Sequence, residues 1–421
     1  DYDDLLVEGR RLLLEHEDIR LQLSERYRYV MVDEFQDTNR LQGEIVRLLA
    51  FTHDNVMAVG DDSQSIYSFR GANFRNIMDF PRLFPGCRII KLEENYRSTQ
   101  PILDLTNAII AGAAEKYTKC LFSRKTQGPK PLVIQAGSEN EQSQVVCQLV
   151  QELRQQGLPL KEMAVLFRSA YHSFDLEIEL VRRQVPFLKF GGFKFMESAH
   201  IKDLLAHLRV TANPRDSISW HRLLQLVPGL GKKGIEKFLA CLNQPDFSLQ
   251  TALDWLQSQK GARIRAGAAA LAELLVKLQA PDLSPAGRLN LALAYYEPIL
   301  KTHYDDYPKR LRDLEHLVAI TARYRALGDF LNDLTLEPPT SLADLTSPQP
   351  EYLTLSTIHS AKGLEWEAVF IIWAAEGRLP SAYSLERAEE LEEERRLLYV
   401  AATRARRFLY LLYPGVSYNR Y

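Results

Sequence analysis

Asp33 and Glu34 follow directly on a short apolar run, Tyr29 to Val32. A run of β-branched and aromatic residues predicts a buried strand. In an open parallel sheet, ligands sit off the carboxyl ends of the strands. Two adjacent carboxylates there can divide the work of phosphoryl transfer. One would hold Mg2+; the other would orient or deprotonate a water. A strand that merely ends in an acidic turn leaves the same trace, so the pair needs support from elsewhere in the chain.

Other stretches offer complementary chemistry. Asn55 to Val59 reads as a second strand, opening into Gly60-Asp-Asp-Ser-Gln-Ser-Ile-Tyr-Ser-Phe-Arg-Gly-Ala72. A third apolar run, in Arg88 to Thr99, also ends in a polar cluster. There Tyr96 can stack on a nucleobase and Arg97 can neutralise charge on a transferring phosphoryl group. Arg404 follows an apolar helical segment, Leu397 to Val400, and lies eight residues from Arg396, within about a quarter-turn of it on a helix. Gly229-Leu-Gly231 with Lys232 and Lys233 joins two helices and suits a phosphate backbone at a helix start; a plain helix-turn-helix connection is an equal reading. Tyr67, Phe69 and Trp366, if exposed, can stack single-stranded bases, although isolated aromatics are more often core.

The elements that must position these residues come in a readable order. Helical patterns over 1–26 and 41–49 flank the first two strands. A helix over 101–113 leads to strand 132–135, helix 139–155 and strand 163–167, a βαβ order that predicts a second parallel sheet. Phe187 to Phe195, with Gly191-Gly192, closes that block. Residues 197–345 then turn helical, with Tyr307 to Leu327 as the last helix, before Glu337-Pro-Pro-Thr and Pro348-Gln-Pro350 mark an exit linker. Strands return at Tyr352 to Ser356 and Ala368 to Trp373. A charged helix, 386–405, precedes a final strand, Phe408 to Leu412. The helical block is therefore an insertion within the second α/β domain.

Composition limits the possibilities. The chain has 421 residues, 46% hydrophobic and 25% charged, enough for two or three globular domains. No apolar run approaches the ~20 residues of a membrane span. A net charge of −2 provides no global basic field, so any nucleic-acid contact must be local. Four cysteines without metal-ligand spacing suit a reducing cytosol.

Five motifs occur in order: Asp33-Glu-Phe-Gln-Asp-Thr-Asn, Gly60 to Ala72, Glu94-Asn-Tyr-Arg-Ser-Thr, Thr357-Ile-His-Ser-Ala-Lys-Gly-Leu-Glu and Arg395-Arg-Leu-Leu-Tyr-Val-Ala-Ala-Thr-Arg-Ala. Together they resemble the UvrD/Rep/PcrA-like superfamily 1 DNA helicases, from Asp1 to about Pro414. The resemblance implies two RecA-like parallel-sheet motor domains, the first incomplete, with a mostly helical domain inserted in the second: 1–94, 95–196 with 351–421, and 197–350. It also implies ATP and Mg2+, 3′ to 5′ translocation on single-stranded DNA, duplex unwinding, and a setting in repair or replication with proteins of those pathways.

By that resemblance Asp33 holds Mg2+, Glu34 activates water, and Gln64 senses the γ-phosphate. Tyr96 stacks on adenine, Glu365 touches the ribose, and Arg97 and Arg404 reach the γ-phosphate. Tyr67 and Phe69 lie along the single strand, Phe69 standing where the family often has Trp; Arg70 anchors their loop. Arg168, His359 and Lys362 line the DNA path, and Gly229, Gly231 and Lys232 contact duplex. Ala170 and Leu379 replace a frequent Asn and Phe.

No Gly-x-x-x-x-Gly-Lys-Ser/Thr phosphate loop occurs in the 421 residues, and the only Gly-Lys pair is Gly231-Lys232. With a first residue that is not Met, this suggests an N-terminally truncated helicase with little ATPase activity of its own. Two other readings stand beside it. One is a non-hydrolytic DNA-binding module. The other is the helicase subunit of a helicase–nuclease, which a nuclease domain would mark; these 421 residues contain none.

Overall fold

The computed structural model describes residues 2–190, 198–335 and 351–415. Two compact units emerge. The first comprises Asp1–Gly137, Val150–Arg168 and Leu353–Gly415; the second is built chiefly from Ser169–Tyr352 together with Ser138–Leu149. The alternation of parallel strands with helices is that of an α/β protein of RecA-like type.

The first unit opens on two helices, Tyr2–Glu15 and Glu17–Arg26, divided at His16. Strands β1 (Val30–Val32) and β2 (Val56–Ala58) pair in parallel, Val30 opposite Val56. Between them runs the helix Arg40–Leu49. Asn39 caps it, accepting from the Gln42 backbone N–H while the Gln42 side chain accepts from Asn39 N, a reciprocal arrangement that sets where the helix begins. Both strands end at the motif loops: Asp33-Glu34 after β1, Gly60 to Ala72 after β2.

The remaining strands are β3 (Leu132–Ala136), β4 (Met163–Phe167), β5 (Phe187–Phe190), β6 (Leu353–Thr357), β7 (Trp366–Ile371) and β8 (Ala405–Pro414). Within the first unit they run β3-β8-β7-β4-β6, parallel throughout. β4 is buried along its whole length, and Val165 pairs with both Leu355 and Phe370. This is why it reads as a continuous apolar run rather than an alternating one.

Three expectations need correction. Arg88 to Leu92 forms no strand: Ile89, Ile90 and Leu92 stand exposed and make no ladder with another strand among the described residues. An apolar run becomes a strand only where a neighbour accepts its hydrogen bonds. Tyr307 to Leu327 is not one helix. The helix Tyr307–Thr321 stops and Leu327–Thr335 begins anew. Between them Arg323 turns to an ion pair with the buried Asp175, and Tyr324 packs edge-on against Phe330. Trp366 does not line a loop. It begins β7 and lies in the core with Leu397, Val400 and Leu409. The block beginning at Phe187 is a strand to Phe190; its continuation to Phe195, and the linker at 337–340 and 348–350, lie outside the described residues.

The second unit is helical, and its cores are aromatic and aliphatic. Trp220 is fully buried, packs 4.8 Å from Phe238 centroid to centroid, and donates its indole N–H to Pro214 O at 2.8 Å. Losing that ring leaves a cavity that the surrounding helices close only in part. Trp220→Ala is expected to destabilise the second unit by about 3–5 kcal/mol, read as a lowered midpoint in urea unfolding; an unchanged midpoint would show that this core does not depend on the ring.

Candidate functional site

Asp33 and Glu34 sit at the carboxyl end of β1, as the apolar run requires. Glu34 adopts a left-handed conformation, φ 51°, which a non-glycine residue avoids unless its surroundings demand it; such strain gathers at functional sites. Asp33 Oδ1 accepts the Glu34 backbone N–H at 2.9 Å, and the Asp33 side chain is otherwise exposed. The Glu34 carboxylate accepts from Gln36 Nε2 at 2.5 Å and lies 3.4 Å from Lys362 Nζ.

The β2 loop meets this pair from the side. Gln36 is fully buried, and its Oε1 accepts the Asp61 N–H at 3.1 Å. Gly60 makes that approach possible: a Cβ there would stand 2.4 Å from Gln36 Oε1 and 2.8 Å from Ile77 Cδ1. Gln64 Nε2 donates to Asp61 Oδ2 at 2.9 Å, and Gln64 Oε1 accepts from Arg404 Nη2 at 3.4 Å.

Arg404 is only 1% exposed. It lies just past the helix Ala388–Ala402 and its C-cap Thr403, where Ala401 and Ala402 permit close packing. Its guanidinium also donates to Val400 O at 3.1 Å, Leu364 O at 3.2 Å and Thr403 Oγ1 at 3.1 Å. Burial, and then the neighbouring Arg97 cation, lower its pKa to about 10, so it stays charged at neutral pH.

Arg97 is engaged differently. It forms an ion pair with Glu365, which also accepts from Arg406 Nη2 at 2.6 Å. Those two arginines, Arg406 first, hold the Glu365 carboxyl below its ordinary pKa. A cavity of about 310 Å3 is lined by Arg97, Thr99, Lys125, Arg406 and Arg407 among others. Tyr96, beside it in sequence, is 75% exposed.

A cluster of rings forms at the tip of the β2 loop. Tyr67 OH donates to His359 O at 2.9 Å; the Phe69 ring meets the His359 ring edge-on at 5.2 Å. Arg70 lies 5.5 Å from the centroids of both Tyr67 and Phe69. Phe69 is 64% exposed, whereas Tyr67 is half-buried. Arg168, at the end of β4, donates from Nε to the buried Glu394 at 2.8 Å. Lys362 has little exposure: it pairs with Asp37, reaches Glu34 and donates to Gln64 O at 2.8 Å.

The first unit thus brings Glu34, Gln64, Arg404 and Lys362 into one network, and Tyr67, Phe69 and His359 into another. Gly229, Gly231 and Lys232 belong to the second unit. Gly229 holds φ +85°, and Gly231 heads the helix Lys232–Cys241 with Lys232 and Lys233 exposed. Sequence reasoning passed over Gln36, Asp61, Lys119, Glu393 and Glu394. Gln36 and Asp61 lie inside motifs already quoted; Lys119 lies in a loop that no pattern marks. Among the described residues no three His, Cys, Asp or Glu side chains gather as a metal cage.

His359 gives the site a pH signature. Burial first, then the Arg168 and Arg70 cations, push its pKa down to about 4. Unfolded, it titrates near 6.5. Stability from this group is therefore complete above about 6.5 and falls as pH drops toward about 4, because the unfolded chain takes the proton the folded one refuses. Buried His207, also lowered to about 4, acts with the same sign in the second unit. His359→Gln should flatten the first unit's share of the stability loss between those pH values, measured by urea unfolding across the range; an identical pH profile would refute the assignment.

Residues 1–85 match the UvrD/REP helicase N-terminal domain, and residues 90–415 match the UvrD-like helicase C-terminal domain. ATP-dependent DNA helicase PcrA of Leuconostoc citreum is 31% identical over 429 residues, covering 98% of this chain and 57% of that protein. DNA helicase II of Escherichia coli is 34% identical over 430 residues, covering 98% and 59%. PcrA of Staphylococcus aureus is 32% identical over 431 residues, covering 98% and 58%. The chain thus spans somewhat more than half the length of these relatives.

Proposed function

The chain belongs to the UvrD-like helicase family, and from that premise we propose that it works in an ATP-dependent 3′–5′ DNA helicase. The observation that carries the reading is the convergence of Glu34, Gln64, Lys362 and Arg404, which come from four separated motifs, onto one hydrogen-bonded network. We read 1–94 as part of one motor domain, 95–196 with 351–421 as the other, and 197–350 as the inserted domain. We place its work in DNA repair or replication.

The residues present suit part of a nucleotide site. Asp33, an exposed acceptor-only carboxylate, would hold Mg2+; Tyr96 would stack on adenine and Glu365 would accept from the ribose. When bound, ATP with Mg2+ supplies the phosphoryl group and the counter-charge for its transfer. Glu34 then accepts the proton of an attacking water. Arg97 and Arg404 would donate to charge developing on the transferred group. Arg97 must leave Glu365 to do so, which makes the Glu365 pair a resting partner. Gln64 reports this state to the loop that bears Tyr67 and Phe69. Phe69 stacks a base of the single strand, while Arg70, His359 and Arg168 border its path. Gly229, Gly231 and Lys232 grip duplex backbone without reading sequence.

A second reading rests on one observation: no phosphate-loop run occurs among the 421 residues. On that reading this polypeptide binds DNA and hydrolyses little or nothing by itself. One set of assays separates the two. The chain should bind single-stranded oligonucleotide with an affinity that falls as salt rises. Phe69→Ala should weaken it by about 1–3 kcal/mol, roughly 5- to 150-fold. Any DNA-stimulated ATP hydrolysis should collapse in Glu34→Gln. Binding without turnover selects the module; turnover insensitive to Glu34→Gln, or no DNA binding at all, sinks the assignment.

A further inference from the structure

We propose that Asp61, locked by Lys119, is a positioning residue that turns the Gln64 amide toward Arg404 and, through Gln36, ties that setting to Glu34. The inference rests on the roles proposed above for Gln64 and Glu34.

An amide side chain has a donor end and an acceptor end, and only its partners decide which faces where. Gln64 lies between two partners of opposite kind. The Asp61 carboxylate can only accept, so it takes Nε2 at 2.9 Å. The Arg404 guanidinium can only donate, so it faces Oε1 at 3.4 Å. Gln36 repeats the device. The Glu34 carboxylate takes its Nε2 at 2.5 Å, and the Asp61 backbone N–H gives to its Oε1 at 3.1 Å. Two amides are therefore oriented without ambiguity along one chain from Glu34 to Arg404, and Asp61 is the member they share.

Asp61 is in turn saturated. Oδ1 accepts the Ser63 N–H at 2.9 Å and an ion pair from Lys119; Oδ2 faces the Tyr399 hydroxyl at 3.5 Å besides Gln64. Lys119 also lies 3.2 Å from the buried Asp62 Oδ1. Without this ammonium two neighbouring carboxylates would stand together with little water to separate them. Their repulsion would turn the Asp61 carboxylate away from the setting that Lys119 now holds. The donor–acceptor order that orients Gln64 would then be lost. Lys119 comes from a loop outside every motif, so a residue distant in sequence sets the geometry of the network.

The test uses the whole 421-residue chain, labelled with 15N-glutamine. The Gln64 side-chain amide resonance is identified by its loss in Gln64→Glu. In Asp61→Asn and in Lys119→Gln that resonance should shift, and its protons should exchange with solvent roughly tenfold faster, the loss of one charge-assisted hydrogen bond. Lys119→Arg, which keeps the cation, should restore slow exchange. Should Asp61→Asn fail to fold, the contrast between Lys119→Gln and Lys119→Arg decides the matter. Folded Lys119→Gln with Gln64 exchange unchanged, or Lys119→Arg exchanging as fast as Lys119→Gln, overturns the proposal. The same samples are titrated with single-stranded oligonucleotide. A wild-type chain that fails to bind DNA refutes the helicase reading, while the exchange data still decide whether Asp61 orients Gln64.

Discussion

A guanidinium removed almost wholly from water, Arg404, organises the first unit. Burying an unpaired cation costs several kcal/mol, so its donors must find acceptors. Here they reach backbone carbonyls of Val400 and Leu364, the Thr403 hydroxyl and the amide oxygen of Gln64. The last of these is decisive. It draws the loop after β2 against the end of the helix Ala388–Ala402, two segments separated by more than 300 residues of sequence. Arg97, the second cation nearby, is kept on Glu365, which eases repulsion between the two.

That same helix fastens the rest of the loop. Glu393 accepts the Ser68 N–H at 3.3 Å and pairs with the Ser68 hydroxyl. Arg396 donates to Ser65 O at 2.7 Å and covers the Phe74 ring at 4.8 Å. Glu394, one residue on, holds Arg168 and accepts the Ser381 N–H at 3.2 Å. Neighbouring side chains of one helix therefore hold Ser65 in the loop, its aromatic tip and a strand-end arginine. A displacement of that helix would be felt at all three.

Much of the fold was legible because parallel strands buried on both faces carry apolar runs that no other element needs. β4 is the plainest example: Met163 to Phe167 is apolar and buried throughout. Reciprocal capping sets the helix starts at Asn39 and Ser248. Legibility ended where an outcome depended on a neighbour. Ile89 and Ile90 look like a strand and are not, for want of a pairing partner. Trp366 looked able to face DNA, but β7 carries it into the core. The helix after Tyr307 breaks between Thr321 and Leu327, where Arg323 pairs with Asp175.

The sequence by itself determined which chemical groups are available and in what order: the carboxylate pair after an apolar run, the glutamine in the Gly60 to Ala72 stretch, the arginines at 97 and 404, the aromatics at 67 and 69. Their types follow from local grammar, a strand end or a helix interior, that a few residues suffice to state. Only the tertiary structure decided which groups share a hydrogen bond. Lys362 turns to Asp37 and Glu34, Glu365 keeps Arg97, and Lys119 reaches Asp61 from a loop without a motif. The reason is physical. Donors and acceptors removed from water must be matched across the whole fold, and the partner that satisfies each one is set by packing between segments far apart in the chain.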